Sequence, residues 1–139
     1  MKRILRNSFA ILSIGLTVVL LLAMIPQDQK AGAAWVVPAK YKAMKNTQKA
    51  DPAALSTGKM LYMKHCKSCH GGAGLGDGPK ANSMKTKVNS FKESKFQGQT
   101  DGEIYFESFV GRDEMPNFEK KIADDEERWA IVSFIRTLK

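Results

Sequence analysis

Cys66-Lys67-Ser68-Cys69-His70 is the stretch whose reading decides the fold of this chain. Two thiols three positions apart lie on one side of a helical turn, so both can reach the two vinyl groups of one porphyrin. His70 is then held beneath the iron, where an imidazole nitrogen can ligate it. Cys-x-x-Cys-His is accordingly the attachment pattern of c-type haem. Cys66 and Cys69 are the only two cysteines in 139 residues, so with both sulfurs in thioethers none remains for a disulfide. The rival readings lack their context. A redox Cys-x-x-Cys opens a helix in a βαβ pattern, and no strand pattern surrounds Cys66. A structural zinc site wants four ligands. His65 and His70 adjoin the cysteines and cannot close a tetrahedron from the far side.

Upstream, Lys2, Arg3 and Arg6 precede a charge-free run over residues 9–25, and Ala31-Gly32-Ala33 matches an A-x-A cleavage signal. Residues 1–33 therefore read as an export segment. It is either a signal peptide removed near Ala34 or an uncleaved anchor, because a seventeen-residue run is near the lower limit for crossing a bilayer. Export suits the haem motif, since c-type haem is attached outside the cytoplasm. The expected location is the periplasm, either soluble or tethered to the cytoplasmic membrane.

Residues 34–50 (AWVVPAKYKAMKNTQKA) show little periodicity and read as an extended arm or linker with at most one short turn. Residues 51–139 are enough for one small domain, whose marginal core a haem would enlarge. Asp51-Pro52 supplies a helix cap followed by proline at the first helical position. Leu55, Gly58, Leu61, Tyr62 and His65 then share one helix face running into the cysteine pair. Gly58 on that face costs helix stability unless something packs closely against it. Thr100-Asp101-Gly102-Glu103 reads as a capping box opening a short helix that ends at Gly111. Asp124 with Glu127 opens the last helix in the same way. Its apolar residues, Trp129 to Leu138, are too many for one stripe and call for two buried faces. No alternating strand pattern of useful length occurs, so the expected class is all-α.

The glycine-rich stretch 71–79 (GGAGLGDGP) matches neither G-x-x-x-x-G-K-[ST] nor G-x-G-x-x-G, and Asp77 alone cannot make a calcium loop. It reads as a loop pressing its backbone against a haem and His70. A metal-bound histidine normally donates its second ring N–H to a carbonyl or carboxylate, and a carbonyl near Pro79 is well placed in sequence to accept it. With no histidine outside the motif, the second axial ligand falls to a methionine. Met1 and Met24 belong to the export segment; Met60 and Met63 lie on the helix before the cysteines, where packing or solvent exposure explains them. Met84 and Met115 stand in loops able to cross the distal face. Met115 is favoured because Pro116 stiffens its loop and sets the sulfur's approach, while Met84 reads as filler.

Taken together, these motifs resemble the class I mono-haem cytochromes c of the small bacterial type. The likeness rests on Cys66 to His70, on the Gly-Asp-Gly-Pro that ends at Pro79, on Gly111 to Phe118 (GRDEMPNF), and on Trp129 to Leu138 (WAIVSFIRTL). The resemblance implies a class I cytochrome c fold wrapped around one covalent haem c. It implies His70 and Met115 as axial ligands and the Pro79 carbonyl as acceptor from His70. It also implies that the first and last helices cross closely, with Gly58 facing Phe134 and Tyr62 and Ile131 beside the crossing. The implied function is one-electron carriage rather than catalysis. The alternatives are a cytochrome subunit of a respiratory dehydrogenase or oxidase complex, and a haem-based gas sensor.

Charge bears on partners. Residues 34–95 hold twelve lysines and three acidic residues, whereas residues 96–139 hold six basic and ten acidic ones. A basic chain can signal nucleic acid, but lysines around a redox motif in an exported chain point to an acidic redox protein.

Overall fold

A computed structural model describes residues 29–48 and 51–139; the charge-free run over 9–25 lies outside them. Among the described residues the secondary structure is helical, with two isolated bridges, Lys30 with Thr86 and Arg112 with Met115. None of these helices is long and apolar enough to cross a membrane. The elements are α1 (Ala39–Lys42), α2 (Pro52–His65), α3 (Lys67–His70), a 3-10 turn (Ala81–Ser83), α4 (Ser94–Gln97), α5 (Asp101–Tyr105) and α6 (Asp125–Thr137).

Two helices carry the architecture. In α2, Asp51 Oδ1 accepts from Ala53 N at 2.9 Å and Pro52 occupies the first turn, as the sequence indicates. Ala54, Gly58, Leu61 and Tyr62 are its buried residues, spaced as one helical face. In α6, Asp124 caps Glu126 N at 2.8 Å, and Asp125, Glu126 and Glu127 sit in the first turn where the helix dipole favours negative charge. The cap bond goes to Glu126, one residue earlier than a capping box with Glu127 would place it. Seven consecutive residues of α6, Trp129 to Ile135, are buried, which bears out a helix covered on more than one side.

α2 and α6 cross in backbone contact. A Cβ at Gly58 would lie 2.0 Å from the Ala130 carbonyl oxygen and 3.1 Å from Ile131 N. Gly58 therefore faces the Ala130–Ile131 peptide, not Phe134. Phe134 instead packs one turn along, its ring 5.2 Å from that of the fully buried Tyr62. The displacement is small but physical: the contact is made by backbone, to which no side-chain pattern points.

Residues 34–48 do not trail as a free arm. Tyr41 of α1 lies with its ring 4.7 Å from Phe106 and 6.4 Å from Tyr105. Buried Asn46 donates to Ser133 Oγ of α6 at 2.9 Å. α5 opens with the capping box expected at Thr100 and Glu103, and then loosens into a π-helical turn, Phe106–Val110, before Gly111. Arg136 of α6 closes the body by donating to Asp101 Oδ1 at 2.8 Å and to the Gln97 and Gln99 carbonyls.

Candidate functional site

α2 hands the chain directly to the motif. Cys66 caps α2, with its N–H on the Tyr62 carbonyl, and its own carbonyl accepts from Cys69 N at 3.2 Å and His70 N at 3.0 Å. Both cysteines and His70 thus share one turn, the geometry their spacing implies. Burial pushes the Cys66 thiol up to about 12, so it stays protonated at neutral pH. A redox dithiol needs the opposite, a stabilised thiolate. Burial also pushes the His70 imidazolium down to about 4, leaving the neutral ring that can ligate a metal.

The glycine-rich loop is laced onto this turn. Gly76 N donates to the His70 carbonyl at 2.9 Å, Gly78 N to Cys69 at 3.1 Å, and Lys80 N to Ser68 at 2.8 Å. Tyr62 Oη donates to the Gly71 carbonyl at 2.7 Å, fixing the loop's first residue to the helix crossing. A Cβ at Gly78 would lie 2.5 Å from the Ser68 carbonyl oxygen, so only glycine permits this approach. The expected loop that presses its backbone on the motif is therefore present.

His70 Nδ1 is buried and makes no hydrogen bond, to the Pro79 carbonyl or to any other group. A buried, unpaired ring nitrogen is costly in a chain standing alone. Beside a free cysteine pair, a ring that no hydrogen bond fixes can take the orientation that a covalently held haem would require. The ring lies over Phe91, centroids 4.7 Å apart and planes 22° apart, and Phe91 in turn stacks on Phe96 at 4.6 Å. Phe91 escapes the sequence reading because it sits in a loop without periodicity. It is tied in by its N–H to the Gly74 carbonyl at 2.8 Å.

The methionines differ in exposure, and Met44, Met84 and Met115 are all half-buried. Met60 is 63% exposed and Met63 37% exposed, so both face solvent. Met115 is half-buried and packs against the same apolar cluster as Cys66. It closes a four-residue turn in which Arg112 and Met115 exchange backbone hydrogen bonds, both 2.8 Å. The Glu114 carboxylate accepts from Lys85 N at 2.9 Å and Thr86 N at 2.7 Å, and these bonds hold it below the usual carboxylate range.

The family model for cytochrome c matches residues 55–139. The chain belongs to the cytochrome c family. That span takes in most of α2, the cysteine–histidine turn, the Met115 turn and all of α6. Membership makes haem c, attached through Cys66 and Cys69, the cofactor of this cytochrome c, and haem-based electron transfer its general task. No curated protein sequence matches the chain closely enough to narrow that task.

Proposed function

We propose that this cytochrome c is a one-electron carrier with His70 and Met115 as axial ligands, working outside the cytoplasmic membrane between respiratory partners. When bound, the haem supplies an iron centre that cycles between two oxidation states. Everything else is done by the chain. Cys66 and Cys69 hold the group covalently, and the loop bonds from Gly76, Gly78 and Lys80 keep their turn rigid. The Pro79 carbonyl is our choice of acceptor for His70 Nδ1, which would fix the ring and raise its basicity. With His70 and Met115 both held to the iron, reorganisation would be small and no position would be open to a substrate. Export by the N-terminal segment, and docking of an acidic redox protein on the lysine-rich half, complete the reading.

The observation that carries it is the contrast among methionines: Met60 and Met63 face solvent, whereas Met115 is half-buried, packs against the core cluster and sits in a turn bonded at both ends. An oxidised protein with this ligation shows a weak far-red sulfur-to-iron absorption. Met115→Ala should abolish that absorption and Met84→Ala should leave it. Loss on Met84→Ala instead would reassign the ligand.

A further inference from the structure

We infer that residues 29–35 form a strap bracing the Met115 turn, with Trp35, Arg112 and Glu114 as positioning residues that keep Met115 seated. The inference rests on Met115 being the axial ligand. It starts from a closed ring of contacts between three segments distant in sequence.

The first side of the ring joins the strap to the turn. The Arg112 guanidinium lies 3.9 Å from the centroid of the Trp35 ring and donates to the carbonyls of Ala33 and Ala34. The second joins the turn to the 81–87 loop, through Glu114 and the N–H groups of Lys85 and Thr86. The third joins that loop back to the strap. Lys30 N donates to the Lys85 carbonyl at 3.2 Å and Lys87 N to the Lys30 carbonyl at 3.0 Å. Gln29 Nε2 reaches the carbonyls of Ala81 and Met84 at 2.6 and 2.8 Å. Trp35 is anchored from behind by an edge contact with Phe106, centroids 6.2 Å apart.

Arg112 and Glu114 both precede Met115 within the same turn, and each is held by a different segment. Withdrawing the sulfur means swinging this turn outward, which strains both attachments. Stacking of a guanidinium on tryptophan and charge-assisted bonds to backbone groups are among the stronger surface contacts. The strap also needs the residues from Gln29 onward. Cleavage after Ala33 would delete the Gln29 and Lys30 bonds and place a new ammonium group beside the Arg112 guanidinium. The strap therefore predicts a mature chain that retains Gln29.

Imidazole titration of the oxidised full chain tests this, because an added ligand binds only the fraction of molecules in which Met115 is off the iron. Trp35→Ala and Arg112→Ala should each raise apparent imidazole affinity by about tenfold, in proportion to that fraction. Trp35→Phe should restore near-native affinity by keeping an aromatic face. Glu114→Gln, which retains one acceptor oxygen, should fall between, and it keeps the test open if either alanine variant folds poorly. Affinities within about twofold of wild type for all variants, or a mature chain beginning at Ala34, would overturn the strap. Met115→Ala is the reference. If it binds imidazole no better than wild type, Met115 is not the ligand and both readings fall; if it binds far better while the strap variants do not, only the strap fails.

Discussion

Gly58 shows how one atom's worth of space positions a site. Its missing Cβ lets α2 rest on the Ala130 carbonyl of α6, and that crossing sets where Tyr62 and then Cys66 emerge. Gly58→Ala adds at most about 1 kcal/mol of helix propensity. Against this stands a Cβ 2.0 Å from a backbone oxygen that cannot turn aside, and overpacking of such contacts costs about 1–3 kcal/mol or more. The variant should lose stability in denaturant titration of the haem-loaded protein, with unchanged slope; a gain would mean that the helices part freely. The need for a close neighbour at Gly58 was legible from the sequence, because glycine on a buried face is otherwise unrewarded. Its partner was not, since periodicity gives the face of a helix but not the register at which two helices meet. The Cys66–Cys69–His70 turn was legible in full, spacing and chemistry together. Phe91, stacked on His70, was not, because a loop residue's place depends on its bond to the Gly74 carbonyl, which leaves no trace in hydropathy.

At the scale of elements, capped helices were legible and the irregular turn after α5 was not. Thr100 with Glu103 announces a helix start by side-chain chemistry, whereas the π-helical Phe106–Val110 follows from packing around Trp35 and Tyr41. That turn holds Glu107, whose carboxyl burial raises from 4.5 to about 7; the hydrogen bond from Gln99 and the charges of Arg112 and Lys95 offset this only in part, and Glu103 adds to it. A carboxyl whose folded value lies above its unfolded one contributes stability at low pH, and that contribution is lost as pH rises from about 4.5 to about 7. Glu103 and Glu114 act in the opposite sense: backbone N–H bonds lower both, so their contribution disappears on acidification below the ordinary range. Glu107→Gln keeps an oxygen for Gln99 and removes the charge. Its melting temperature should match wild type near pH 4 and exceed it increasingly up to pH 7, with no further divergence above. Parallel curves across this range would show that Glu107 titrates as an ordinary surface carboxyl.

Over the whole molecule, charge is divided along the chain as the fold is not. The helical class and the cytochrome c membership of residues 55–139 follow motifs readable in the sequence, yet the arm packs into the body that α2 and α6 organise, so no structural boundary coincides with the charge boundary. Lys59, Lys64, Lys67, Lys80, Lys85 and Lys87 are all exposed, and Lys67 and Lys80 belong to the two segments laced together at the attachment turn. Positive charge at that place would steer an acidic redox protein toward the point of electron exit. Such steering acts on encounter rate, and it is screened over about 10 Å at 0.1 M ionic strength. Electron transfer to the natural partner should therefore slow steeply with added salt in stopped-flow mixing. Lys67→Glu and Lys80→Glu should slow it at low salt while leaving the reduction potential nearly unchanged. Lys139→Glu, beyond the end of α6, should do neither. A rate indifferent to salt and to both reversals would make the lysines a solvated face and move docking to an apolar surface.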